Sequence, residues 1–146
     1  MCSSDLTSQC FPMFLLAISF VSICRAQQPA WQQSGQWTIY NVRGAKFYKI
    51  AADSLDRYAS RPLNDDSMRI FLSHSSTLPA DKPPVWMGAY VTSCTIDHQK
   101  RKIDISSYGG FFFDETERKY YSVPQEIQKD WLNYLAGCAG ALAAKR

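Results

Sequence analysis

Runs of aromatic and β-branched residues, separated by Gly, Pro and charged segments, occupy the middle of the chain. Such runs are typical of β-strands, in which successive side chains point to opposite faces. In 67–75, for example, Met68, Ile70 and Leu72 occupy every second position. The pattern predicts strands over 36–41, 45–51, 67–75, 86–97 and 102–114, and a short strand end over 120–122.

Glycine, proline and polar residues mark the connections between these strands. Val42-Arg43-Gly44 predicts a hairpin connection between the first two strands, because glycine suits tight turns. Asp53-Ser54-Leu55 predicts a turn or one helical turn, and the proline-rich segment 77–84 predicts a loop. Gly109-Gly110 predicts a bulge inside the strand 102–114.

The hydrophobic period changes after residue 122. Ser122 and Gln125 have the spacing of a capping box, and Pro124 suits the first turn of a helix. Apolar residues then recur at helical spacing: Ile127, Trp131, Tyr134, Leu135, Cys138 and Leu142. The chain is therefore predicted to be an α+β domain, with an antiparallel sheet of five or six strands followed by a C-terminal helix.

The first 26 residues have the pattern of an export signal. An uncharged apolar stretch, 11–24, is followed by Cys24-Arg25-Ala26, which predicts cleavage after Ala26. A buried core helix and lipid attachment at Cys24 are the alternatives, although a lipid-attachment motif has a small residue where Ile23 stands. The predicted organisation is a signal peptide at 1–26, a flexible entry segment at 27–35, and one domain at 36–146.

Composition is that of an ordinary globular domain. The 146 residues are 46% apolar and 20% charged, with a net charge of +3. This weakly basic balance argues against nucleic acid as a partner. The sequence has no apolar run of about 20 residues, so no membrane span is expected to remain after cleavage.

Two cysteines remain after the predicted cleavage, Cys94 and Cys138. In an exported domain, such a pair is most simply one disulfide, which would join the C-terminal helix to the sheet. Two buried free thiols are the alternative. A metal site is disfavoured because two isolated cysteines cannot supply tetrahedral coordination.

The order of these elements resembles the surface-adhesin protein E family of small exported bacterial domains. The resemblance rests on the Trp-containing first strand, on FYKIAADSL at 47–55, on Cys94 ending a long strand, and on Cys138 in the late helix. It spans about 36–140 and implies an antiparallel sheet with a disulfide-tethered helix. It also implies an envelope or surface location, allows for a homodimer, and, for the family's namesake, implies binding to host extracellular-matrix proteins.

One segment departs from the family pattern. The namesake has a strongly basic stretch leading into the first cysteine. Here the matching segment, 78–94, holds a single base, Lys82, next to Asp81. The adhesin role is therefore carried over less firmly than the fold.

A basic cluster is the one candidate binding feature in the sequence. Lys100-Arg101-Lys102, with His98 close by, falls in a predicted hairpin turn, where it could bind acidic glycans or an acidic protein surface. The alternative is a solvated turn whose charges promote solubility.

Other chemistry-bearing residues do not form a recognisable site. His74 and His98 are the only histidines, and no nucleophile motif accompanies them. Asp114, Glu115 and Glu117 are interpreted as a solvated turn. Phe111 and Phe113 are predicted on one strand face and Phe112 on the other, as core or as a dimer or ligand patch. No catalytic residue, metal or cofactor is predicted.

The sequence therefore predicts a non-catalytic, exported binding domain of the periplasm or surface of a Gram-negative cell. Its expected partners are host or envelope proteins or acidic glycans. A small periplasmic inhibitor of a hydrolase, such as a lysozyme or protease, is the alternative function, since it has the same size and export signal.

Overall fold

A computed structural model describes residues 35–42 and 46–143 of the chain. Within them, seven strands form one antiparallel sheet with two α-helices. The strands are β1 (Gln36–Tyr40), β2 (Ser60–Leu63), β3 (Ser76–Thr77), β4 (Ala89–Ile96), β5 (Gln99–Ser106), β6 (Phe111–Asp114) and β7 (Lys119–Ser122). The helices are α1 (Asp65–Ser73) and α2 (Gln125–Ala143), and two 3-10 helices span Phe47–Lys49 and Ala52–Arg57.

The sheet is organised around the long hairpin β4–β5. Its strand order is β2-β1-β4-β5-β6-β7-β3. The pairing of β4 with β5 runs from Ala89 opposite Ser106 to Ile96 opposite Gln99. Asp97 and His98 make the two-residue turn with φ angles of 49° and 63°, the left-handed conformation that tight hairpins require.

One face of the sheet packs against both helices. Strand side chains such as Trp37, Ile103 and Phe112 meet Leu72 of α1 and Trp131 of α2 in the main apolar core. The opposite face carries a smaller core made by Tyr40, Ile50, Leu55 and Val91. This second face is covered by the 3-10 helices rather than by an α-helix, and Lys100, Lys102 and Asp104 of β5 point to it.

The C-terminal helix is confirmed, and so is the α+β class. The sheet has seven strands instead of the predicted five or six. The short segment β3 accounts for part of the difference, because its pairing with β7 is visible only in three dimensions. The segment at Asp53-Ser54-Leu55 is helical, as one of the two predicted alternatives.

The predicted strand at 67–75 is wrong, because this segment is helix α1. The Asn64 side chain caps the helix by accepting a hydrogen bond from the Ser67 N–H at 2.8 Å. Met68 and Leu72, four residues apart, are buried, whereas Ile70 is 60% exposed. The helical spacing of the buried pair therefore outweighs the two-residue alternation.

Two further strand predictions need correction. Residues 46–50 hold a 3-10 turn at Phe47–Lys49 rather than a strand, and β1 pairs with β2 and β4 instead. Of the predicted hairpin connection at 42–44, residues 43 and 44 lie outside the described residues. The predicted strand 102–114 is two strands, since Gly109, with φ 68°, lies in a turn rather than a bulge.

The predicted signal peptide, with Cys2, Cys10 and Cys24, lies outside the described residues, as does the entry segment 27–35 apart from Gly35. In the part of the chain that is described, neither α-helix combines the length and hydropathy needed to cross a membrane.

Candidate functional site

Aromatic side chains gather on the sheet face that the α-helices leave open. Strand alternation places Phe111 and Phe113 of β6 on this face, while Phe112 is fully buried beneath the helices. The Phe113 ring packs against Tyr120 of β7 with ring centroids 4.6 Å apart. The predicted division of the three phenylalanines between the two faces is therefore confirmed.

The loop between β3 and β4 brings Trp86 onto these rings. The Trp86 ring lies 4.8 Å from Phe111 and 5.4 Å from Phe47, measured between centroids. Its neighbours in sequence, Val85 and Met87, are 82% and 61% exposed, so Trp86 is the side chain of the three that packs against these rings. The Ser107 hydroxyl donates a hydrogen bond to the Met87 carbonyl and holds the end of the loop in place.

A cleft of 340 Å³ lies among these aromatic side chains. Five aromatic residues and two carboxylates line it: Phe47, Tyr48, Trp86, Phe113 and Tyr120, with Asp104 and Glu115. We refer to it as the aromatic cleft. Apolar walls with a few fixed polar groups are typical of small-molecule binding sites.

A buried lysine lies beside the cleft and is held by oxygen atoms. The Lys102 side chain is fully buried, and its Nζ donates hydrogen bonds to the Phe47 carbonyl at 2.8 Å and to Glu115 Oε1. The same Nζ lies 3.1 Å from Asp104 Oδ2. An ammonium group has three N–H donors, so Lys102 has one oxygen for each of them.

Asp104 has an unsatisfied oxygen. Its side chain is 3% exposed, and its Oδ1 is buried with no hydrogen-bond partner among the described residues. Burial raises the pKa of the Asp104 carboxyl to about 6, which Lys102 partly opposes and Glu115 reinforces. An unpaired carboxylate oxygen in such a site is costly unless a proton or a ligand meets it.

The charges at the cleft do not balance. Two carboxylates, Asp104 and Glu115, share the single positive charge of Lys102. Above the pKa of Asp104, the group of three therefore carries one surplus negative charge beside aromatic walls.

The predicted basic cluster does not form one surface. His98 lies in the hairpin turn, but the three bases belong to strand β5 and are split between its faces. Lys100 pairs with Asp56, Lys102 is buried at the cleft, and Arg101 lies on the helix side with Asp114 and Glu117. Each base has a carboxylate partner, so the geometry offers no joint site for an acidic ligand.

The acidic segment after β6 is structural rather than solvated. Asp114 is fully buried, and its Oδ1 accepts hydrogen bonds from the backbone N–H groups of Thr116 and Glu117, which closes the β6–β7 hairpin. Burial raises the pKa of Asp114, although those N–H groups and Arg101 act in the opposite direction. The prediction of a solvated turn is therefore wrong for Asp114 and for Glu115.

The two cysteines are free thiols in the structure, so the predicted bridge is not present. Cys94 is buried in β4, where a side chain on Gly35 would come within 2.7 Å of its Sγ. Cys138 instead lies beside the Tyr134 side chain on α2. Both side chains pack in the main apolar core without being bonded to each other.

Two other observations narrow the choice of site. A larger cleft, of 520 Å³, lies near Tyr90 and Ala139, but no charged side chain lines it. Within 35–42 and 46–143, no group of three or more His, Cys, Asp or Glu residues is placed to hold a metal ion. The aromatic cleft is thus the described cavity that combines aromatic walls with unbalanced charge.

Comparison of the chain with protein-family models, with curated proteins and with solved structures gave no match.

Sequence reasoning missed Trp86 and Asp104 as site residues. Lys102 and Asp104 alternate with Ile103 and Ile105 in a buried strand, so they point to the face opposite these isoleucines. Opposite charges two residues apart in such a strand are a recognisable signal of an internal ion pair. The sequence has no comparable signal for Trp86, because the aromatic residues that its ring contacts are all distant in sequence.

Proposed function

We propose that the chain is an exported, non-catalytic binding domain whose ligand occupies the aromatic cleft. The observation that carries the proposal is the pairing of aromatic walls with Asp104, a buried carboxylate whose Oδ1 lacks a partner. A ligand that fills the cleft would cover exposed aromatic surface. Because Oδ1 is closed to solvent, the Asp104 side chain would rotate to let a donor on the ligand satisfy this oxygen.

A binding role suits the state of Lys102. A catalytic lysine needs a free, neutral amine, whereas three oxygen atoms surround the Lys102 ammonium group. The lysine is better suited to fixing the positions of Phe47, Asp104 and Glu115. Its contacts connect the 3-10 helix at Phe47–Lys49 with strand β5 and with Glu115, and so fix the positions of residues that line the cleft.

The cellular setting of the proposal rests on the sequence. The apolar segment 11–24 and the small residue Ala26 support export, and the surface-adhesin protein E resemblance supports an envelope or surface location. The disulfide is not part of the proposal, since both thiols are free in the structure.

Two equally exposed tyrosines allow a matched test. Tyr48 lines the cleft and is 61% exposed. Tyr108 is 56% exposed and does not line the cleft, although its hydroxyl donates a hydrogen bond to Met87 Sδ in the loop that carries Trp86. A library of small fragments is screened against the purified protein by saturation-transfer difference NMR, and then against Tyr48→Leu and Tyr108→Leu. We expect fragments that bind the unmodified protein to lose affinity for Tyr48→Leu only. Binding that survives in Tyr48→Leu, or the absence of any bound fragment, would contradict the proposal.

A further inference from the structure

The surplus charge of the cleft indicates the charge of its ligand. Asp104 and Glu115 contribute two negative charges and Lys102 one positive charge. All three Lys102 donors are already directed at oxygen atoms, so the lysine has no donor left for an anionic ligand. A cation would restore neutrality, whereas an anion would meet carboxylates without a free donor.

The walls favour the same charge. The faces of aromatic rings carry negative electrostatic potential and attract cations, most strongly for tryptophan. Trp86, Tyr48 and Tyr120 line the cleft together with two phenylalanines. An organic cation would therefore gain from both the rings and the carboxylates.

The unpartnered Asp104 oxygen further requires a hydrogen-bond donor. A protonated amine supplies both a positive charge and N–H groups, whereas a quaternary ammonium ion supplies charge alone. A sugar hydroxyl supplies a donor without charge. Of these three classes, the protonated amine is the one that meets all three features of the cleft.

We propose that the aromatic cleft binds a protonated alkylamine, whose ammonium group donates to the Asp104 carboxylate and lies against the ring of Trp86. The proposal rests on the proposed function, because it names the ligand class of the same cleft. The amine is either a free small molecule or the side chain of a lysine on a partner protein, which have the same chemistry.

Three probes of similar size separate charge from hydrogen bonding. tert-Butylammonium has charge and N–H donors, tetramethylammonium has charge only, and tert-butanol has a hydroxyl donor only. Each is titrated at pH 7.5 into the purified protein, and the Trp86 indole N–H is followed by NMR. We expect tert-butylammonium to bind about tenfold or more tightly than tert-butanol, as loss of a charged hydrogen bond implies. Tetramethylammonium is expected to lie between them.

Two isosteric variants test the role of the carboxylate. Asp104→Asn removes one of the two negative charges at the cleft, and Asp81→Asn removes one from the loop that carries Trp86 without altering the cleft lining. Asp104→Asn is expected to weaken tert-butylammonium binding about tenfold, with Asp81→Asn unchanged. An equal loss in both variants, or none in Asp104→Asn, would overturn the proposal. Circular dichroism of each variant checks that the fold persists.

A last comparison separates the two sources of the amine. Nα-acetyl-lysine amide that binds at least tenfold more tightly than n-butylammonium supports a lysine of a partner protein. Equal affinity supports a free amine.

Failure of the amine proposal is distinguishable from failure of the cleft itself. If tert-butanol or glucose shifts the Trp86 signal as strongly as tert-butylammonium does, the amine proposal is overturned and the cleft remains a binding site. If no probe and no library fragment shifts it, both proposals are overturned.

Discussion

Lys102 and Asp104 lie two residues apart on one face of strand β5, and Lys102 Nζ is 3.1 Å from Asp104 Oδ2 beside the aromatic cleft. The sheet buries both side chains almost completely. Burial raises the pKa of the Asp104 carboxyl, the neighbouring Lys102 lowers it, and Glu115 raises it further.

The raised pKa of Asp104 predicts a specific pH dependence of stability. The pKa is about 6 in the folded protein against 3.8 for an ordinary aspartate. Between these values the folded state holds a proton that the unfolded state has released, so this group's contribution to stability falls as pH rises from about 4 to 6. Above pH 6 the contribution stays constant at its low value.

Asp104→Asn removes this titration and isolates its effect. Urea unfolding of both proteins at pH 4 and pH 8 should show the free energy of unfolding of the variant, relative to the unmodified protein, rising by about 2 kcal/mol between them. The Asp114 carboxyl titrates in both proteins and largely cancels from the difference. A difference that is independent of pH would mean that Asp104 has an ordinary pKa.

Lys102 and Lys100, on the same strand, should differ strongly in their effect on stability. Lys102→Met leaves the buried Asp104 and the partly exposed Glu115 without their cation and should lower the free energy of unfolding by about 3 kcal/mol or more. Lys100→Met removes a pair with the exposed Asp56 and should change it by less than about 1 kcal/mol. If urea unfolding shows the same loss of unfolding free energy in both variants, Lys102 is not buried as described.

Gly109 should be required for the turn between β5 and β6. Its φ of 68° disfavours other residues, and an added Cβ would come within 2.8 Å of Leu132 Cγ on α2. Gly109→Ala should therefore cost about 1–3 kcal/mol of stability.

Gly137 provides the control for this substitution. It lies in α2, and an added Cβ would meet nothing within 4 Å. Gly137→Ala should raise stability by up to about 1 kcal/mol, because alanine favours a helix over glycine. Thermal unfolding of both variants measures the contrast, and a stable Gly109→Ala protein would contradict the turn geometry.

The two thiols should react at different rates with iodoacetamide at pH 8. Burial raises the pKa of Cys94 to about 12, so it forms little thiolate, whereas Cys138 is only partly buried. Peptide mass spectrometry without reductant should find Cys138 alkylated before Cys94, and equal labelling in denaturant. Protection of both until a reductant is added would instead indicate the disulfide predicted from the sequence.

The fold class was accessible from the sequence because α2 and β4 have clear periodicity. Helix α1 could not be predicted, because Met68 and Leu72 fit both an alternating and a helical pattern. The cap at Asn64, which decides between them, is a weak signal in sequence alone.

The site was only partly accessible for a related reason. The basic residues of β5 were noticed, but their partners were not foreseeable. The Lys102 contacts with the Phe47 carbonyl and Glu115 join residues 55 and 13 positions apart. The sequence therefore shows that β5 is basic, but not that the sheet buries Lys102 in hydrogen bonds and ion pairs with other elements.

The most direct test of the account is a residue-by-residue NMR titration of the isotope-labelled protein with tert-butylammonium at pH 7.5. The account predicts that the largest shifts fall on the Trp86 indole N–H and on the backbone amides of Asp104, Phe113 and Tyr120. Shifts centred instead on Tyr90 and Ala139 of the larger cleft, or spread evenly over surface carboxylates, would contradict it.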